Sequence, residues 1–169
     1  MNNKNKKRTL ILALIPLLAT AYSFTFTAEV ANKKSLITFK PTNIQADTFN
    51  ASQFKGKVVF LSFWASWSKI SRSENKDISK AYTAFSNNSK VVFVSISLDT
   101  DLNSWKTAIT EDDLTWKNQY CDFNKWNSQS VKSYGVKVLP SNFLINEKGE
   151  IIARNLKDAD IQAKIQAAL

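Results

Sequence analysis

Two apolar runs constrain this chain more than any other feature. Val58 to Trp64 reads Val-Val-Phe-Leu-Ser-Phe-Trp, and Val91 to Leu98 reads Val-Val-Phe-Val-Ser-Ile-Ser-Leu. The first run does not alternate between apolar and polar residues, and the second opens with four apolar residues before Ser95 and Ser97. A strand with one wet face alternates, so an unbroken run marks a strand covered on both faces. Residues 72–86, between the two, place Ile78, Tyr82 and Phe85 at i, i+4 and i+7, with charged residues opposite. That spacing predicts a helix with one buried stripe. Two buried strands separated by a helix predict an α/β sheet with helices on both faces.

The rest of the pattern extends that sheet. Leu102, Trp105 and Ile109 predict a helix over 102–110. A second short helix is expected over 125–134, with Gly135 able to end it in the left-handed conformation. Phe143-Leu144-Ile145 and Ile151-Ile152-Ala153 read as strands joined through the turn Glu147-Lys148-Gly149-Glu150, and residues 158–169 close the chain as a helix. Toward the N-terminus, residues 29–35 read as a linker. Strand-like pieces at Leu36–Phe39 and Thr48-Phe49, interrupted by Pro41 and Asn43, predict a loose hairpin. The domains are therefore 1–28, a leader; 29–49, a linker and hairpin; and 50–169, one α/β domain. Ligands of such sheets gather at the carboxyl ends of the strands, which directs attention to Trp64–Ser71.

The leader carries Lys4, Lys6, Lys7 and Arg8 ahead of an apolar run of h-region length, Leu10 to Ala21. Ala19-Thr20-Ala21 fits small-x-small cleavage, so a signal peptide is expected. Thr9 to Ala28 also lacks any charge and is long enough to span a bilayer. A retained anchor, a membrane tether through residues 9–28, is the other reading. Either way the protein is exported, periplasmic or facing the extracytoplasmic side. Removing the leader's four bases from the chain's 23 leaves 19 against 14 acids, a net charge of +5. Those bases are interspersed with acids rather than forming a stripe, so nucleic-acid binding is not expected.

Absent residue types exclude whole chemistries. The chain has no His, which removes imidazole bases, Ser-His triads and His-ligated metals. It has a single Cys, Cys121, so neither an intramolecular disulfide nor a Cys-rich metal site can form. No metal and no cofactor is expected.

The turn Ser68-Lys69-Ile70-Ser71 sits where the first buried strand gives way to a helix, directly after Phe63-Trp64-Ala65-Ser66-Trp67. Together with Lys55-Gly56-Lys57-Val58-Val59, Arg72-x-Glu74, Tyr134-Gly135-Val136, Leu139-Pro140-Ser141 and Phe143–Gly149, it resembles the TlpA/ResA-type branch of the thioredoxin family over residues 36–166. The resemblance implies a thioredoxin-like fold, with a central mixed sheet, and extracytoplasmic thiol–disulfide exchange. Members of that branch carry Cys-x-x-Cys where this chain has Ser68 and Ser71. The first thiol depends on a helix N-terminus to become a thiolate, and the second resolves the mixed disulfide. Hydroxyls do neither, so the resemblance implies a site that is redox-inactive. Ser62 likewise stands where classical thioredoxins keep a buried Asp.

Each residue of this region has a plainer reading beside the sharper one. Ser68 or Ser71 is expected to cap the helix rather than attack a substrate, since no base is present to activate it. Glu74 matches the family's active-site acid and also fits a capping box with Ser71. Trp64 is expected in the core; Trp67 fits either the core or a surface groove. Leu139-Pro140 matches the family's cis-proline, which presents backbone to extended peptides. Trp67, Leu139 and Pro140 are thus the candidate binding residues for a protein or extended peptide. Cys121 is an ordinary packed thiol or, on the sharper reading, a lone redox centre. Glu111, Asp112 and Asp113 are expected in a solvated loop rather than a paired-carboxylate site.

Overall fold

A computed structural model describes residues 42–43 and 51–169. The leader and most of the linker and hairpin region fall outside these residues. The described elements are β1 (Thr42–Asn43), β2 (Val58–Trp64), α1 (Lys69–Phe85), β3 (Val91–Ser97), α2 (Leu102–Glu111), β4 (Gln119–Cys121), α3 (Gln129–Tyr134), β5 (Ser141–Ile145), β6 (Ile151–Arg154) and α4 (Ala159–Ala167). Short 3₁₀ turns occupy Ala51–Phe54 and Lys125–Asn127.

The sheet has the order β1-β4-β3-β2-β5-β6. β2 and β3 are central and parallel, with Val58 opposite Val91 and Trp64 opposite Ser97. β4 continues the parallel half beside β3, while β5, β6 and β1 pair antiparallel. The sheet is therefore mixed. Every residue of β2 is buried, as its unbroken apolar run predicts. Alternate side chains serve opposite faces. Val59, Leu61 and Phe63 join Val131, Tyr134 and Phe143 on the side of α3. Val58, Phe60 and Trp64 join Ile78, Trp105 and Ile161 on the side of α1, α2 and α4. Helices cover both faces, three on one and the short α3 on the other.

Several boundaries differ from the sequence reading. The first helix begins at Lys69, not 72, because the Ser68 side chain caps it and accepts from the Ser71 N–H. Its buried stripe runs Ser71, Asn75, Ile78, Ala81 and Phe85; Tyr82 is only half-buried, its ring against Phe93 and Trp116. The expected helix over 125–134 breaks at Ser128, whose extended backbone (φ −49°, ψ 136°) separates a 3₁₀ turn from α3. Gly135 (φ 66°) ends α3 in the left-handed region, where a Cβ would be strained. β4 was not anticipated: three residues bounded by Asn118 and Asp122 carry no usable periodicity. Asn43, expected to interrupt a hairpin, pairs in a strand opposite Tyr120.

Candidate functional site

The carboxyl end of β2 delivers Trp64, 1% exposed, into the core, and the chain then turns back over Ala65–Ser68. The Ser68 N–H donates to the Ala65 carbonyl at 3.1 Å. The base of this turn is fastened to β3. Asp99, 1% exposed, accepts from the Ser66 N–H at 3.0 Å, the Ser66 hydroxyl at 2.6 Å and the Ser97 hydroxyl at 2.6 Å. A buried carboxylate is tolerable when its lone pairs are filled in this way. The burial of Asp99 follows from its position immediately after eight strand-like residues, beside two hydroxyls that reach it.

Ser68 is the N-cap of α1. Its Oγ accepts from the Ser71 N–H at 3.3 Å and from the Ser71 hydroxyl at 2.9 Å, while the Arg72 N–H donates to the Ser68 carbonyl at 3.0 Å. The two hydroxyls three residues apart are thus bonded to each other, and Ser71 is fully buried. The Asp99 carboxylate beneath this turn is taken up by Ser66 and Ser97, and that of Glu74 by Asn142. No imidazole exists in the chain. The arrangement caps a helix and offers no activated nucleophile.

One turn further, α1 is braced against the end of α2. Arg72 donates to Asp112 and, at 2.9 Å, to Glu111; Asn75 Nδ2 donates to Asp112 at 2.8 Å. The Asp112 carboxylate, followed by that of Glu111, raises the Arg72 pKa further above its already high value. This corrects the expectation of a solvated acidic loop: Asp112 is buried, and only Glu111 and Asp113 are exposed.

Glu74 does not cap α1. It turns toward β5, where Asn142 Nδ2 donates to it at 3.0 Å and also to the Leu156 carbonyl at 2.8 Å. Burial pushes the Glu74 pKa up, and the Asn142 hydrogen bond partly opposes that. Glu74 lines an open cleft of about 230 Å³ with Ile70, Asp77 and Lys157. Asn142 carried no sequence signal, since its role depends on the β2–β5 register.

Pro140 lies one residue before Ser141, which pairs with Phe63. That register sets Leu139 and Pro140 at the end of the sheet where Trp64–Ser68 turns. The Leu139–Pro140 peptide is cis. Leu139 packs against the α3-side core, and Ser141 Oγ donates to the Val138 carbonyl at 2.8 Å. Trp67 is 51% exposed, with the Lys125 ammonium 5.4 Å from its ring centroid. Of the two readings of Trp67, the structure has the surface one. Trp64 and Ser62 are buried, the latter hydrogen-bonded to Ser95 Oγ at 2.8 Å.

Cys121 is remote from this surface in exposure but not in connectivity. It is fully buried in β4; its thiol donates to the Asp99 carbonyl at 3.3 Å and accepts from the Phe123 N–H at 3.4 Å. Burial, reinforced by the charges of Asp99 and Asp122, pushes the thiol up to about 12. The thiol is therefore held in its protonated form. Among the described residues, no group of three or more Asp, Glu or Cys side chains is disposed to hold a metal ion.

The Thioredoxin-like family model matches residues 56–151. The thiol-disulfide oxidoreductase from Bacteroides fragilis superposes with a TM-score of 0.74 at 31% identity, covering 80% of this chain and all of that one. The thioredoxin domain of a thiol-disulfide oxidoreductase from Bacteroides vulgatus superposes with a TM-score of 0.70 at 26% identity, covering 79% and 98%. The thiol-disulfide oxidoreductase ResA of Bacillus thuringiensis subsp. konkukian is 28% identical over 156 residues, 87% of each chain.

Proposed function

The chain belongs to the thioredoxin-like family, on its thiol-disulfide oxidoreductase branch, and from that premise we propose that it is an exported, redox-inactive member that binds extended polypeptide. The observation that carries this reading is the pair Ser68 and Ser71. By the resemblance of the motifs around them they match the positions of the family's two thiols, and they are hydrogen-bonded to each other as a helix cap. A hydroxyl cannot form or cleave a disulfide, so thiol–disulfide exchange has no atoms to run on there. Cys121 does not supply a substitute, because it is buried and its thiolate is disfavoured.

The binding surface does not depend on sulfur. Trp67 is exposed at the turn, and Leu139-Pro140 stands at the same end of the sheet. An extended peptide lying beside Pro140 gains affinity from main-chain pairing, which is tolerant of sequence, and from one aromatic anchor. Export rests on the leader: a basic start, an apolar run and a small-x-small site in residues 1–28. Among the described residues no helix is long and apolar enough to cross a membrane. The leader is therefore the segment that would carry either a signal or an anchor.

The test is peptide capture. Truncating a central aromatic anchor costs about 2 kcal/mol or more, so Trp67→Ala is expected to weaken binding of peptides from exported proteins by tens-fold. Its thermal unfolding is expected to match the wild type, because a half-exposed ring contributes little to the core. Equal binding by both proteins would reject the surface.

A further inference from the structure

The end of the sheet that carries the turn is apolar and bears several exposed lysines. Trp67, Ile70 and Val138 are 51%, 66% and 65% exposed there, and Trp126 is exposed beside the lysine that touches Trp67. Residues 64–73 contain Lys69 and Arg72 and no acid; residues 123–141 contain Lys125, Lys132 and Lys137 and no acid. Arg72 is committed to Glu111 and Asp112. Lys69, Lys125 and Lys137 are exposed and carry no comparable acidic partner in those segments. Of the acids near this end, Asp99 lies beneath the turn, Glu74 faces Asn142 in a cleft with Asp77, Asp158 and Lys157, Asp101 accepts from the Ser104 N–H, and Asp122 accepts from the Asn124 N–H.

One of these cations is held in place. Phe123 and Lys125 both have positive φ, 57° and 52°, in the left-handed region that side chains adopt at a cost. Phe123 is fixed there by its ring contact with Trp105, centroids 5.9 Å apart, and by its N–H bond to Cys121 Sγ. The strained segment brings the Lys125 ammonium over the Trp67 ring. Local strain that the surrounding packing enforces is a pointer to function, and here its product is a cation stationed on an exposed aromatic ring.

We propose that this surface selects acidic extended segments of partner proteins. An apolar side chain of the segment rests on Trp67 and Val138, and carboxylates on either side of it meet Lys125, Lys69 and Lys137. The proposal rests on the peptide-binding reading above and adds the chemistry of the occupant. A lipid surface is the less fitting partner: the lysines are spread over two separate segments, 64–73 and 123–141, rather than gathered in one polybasic run.

The test is fluorescence anisotropy with three short labelled peptides, alternating Glu with Leu, Ser with Leu and Lys with Leu. The Glu-Leu peptide is expected to bind about tenfold more tightly than the Ser-Leu peptide, with the Lys-Leu peptide weakest. The spread is expected to narrow as salt rises. Lys125→Glu combined with Lys137→Glu is expected to reverse the order of the Glu-Leu and Lys-Leu peptides. Lys137→Gln alone, at a fully exposed position, is expected to cut the Glu-Leu preference about twofold and guards against misfolding of the double variant. If all three peptides bind alike, the acidic selectivity is overturned and the groove survives. If none binds, the groove reading falls and the selectivity with it. Displacement of the Glu-Leu peptide by phosphatidylglycerol vesicles, with no effect from phosphatidylcholine vesicles, would assign the surface to a membrane instead.

Discussion

The start of α1 and the middle of β4 make an instructive pair. At Ser68–Ser71 the chain offers the position a reactive thiol needs: a strand end, a tight turn and the first N–H groups of a 17-residue helix. The atom there is oxygen. At Cys121 the atom is sulfur, but the position is a buried strand, and the thiol is pushed up to about 12. On the function proposed above, neither place alone supports exchange chemistry. The difference teaches that thiol reactivity belongs to a location as much as to an element, and that in this chain the two have come apart. They are nonetheless joined by one residue, since Asp99 holds the turn through its carboxylate and Cys121 through its carbonyl.

Bringing sulfur back to the position should break the comparison most dramatically. Ser68→Cys with Ser71→Cys places a thiol at the N-cap, where the helix end lowers its pKa, and a resolving thiol one turn on. Insulin reduction driven by dithiothreitol is expected to rise from background by orders of magnitude. A double variant that folds but stays at background would mean the position itself is unfit.

The next effect is on the brace that keeps the position in shape. Asp112→Ala leaves the buried Asn75 amide and the Arg72 guanidinium without their shared acceptor. Stranding a buried polar group costs about 1–3 kcal/mol, so denaturant titration should show a loss in that range. Removing the cap itself is milder. Ser68→Ala is expected to cost about 1 kcal/mol, read in the same titration, and an unchanged midpoint would show that the hydroxyl pair has no capping role.

The smallest effect is a pH slope. Glu74 has a folded-state pKa raised by burial, so the folded protein holds a proton that the unfolded chain has released. Stability should therefore fall as pH rises from the ordinary carboxylate range through the raised value, and level off above it. Glu74→Gln should flatten that part of the profile. A slope that persists in the variant would assign it to another group.

Much of the architecture was legible because it rests on long patterns. The apolar runs at 58–64 and 91–98 announced central strands, and the stripe at Ile78 and Phe85 announced α1. Short elements were not legible: β4 has three residues, and its pairing with β3 and with Thr42–Asn43 is a fact of the whole sheet. The site divides in the same way. Ser68, Trp67 and Pro140 were marked by the family resemblance that the motifs around them carry. Asp99, Asp112 and Asn142 were not, because each acts on a partner more than thirty residues away or, for Asn142, across to Glu74 and Leu156. Polar residues in loops look alike until the fold decides which of them are buried.

The most direct test of the separation between position and atom is insulin reduction by the unmodified protein and by Cys121→Ser, with dithiothreitol as electron donor. Both are expected to match the rate of dithiothreitol alone. Turnover above that rate in the unmodified protein would contradict the account: if lost in Cys121→Ser, it would move the chemistry to the buried thiol, and if retained, it would require a redox centre outside both regions.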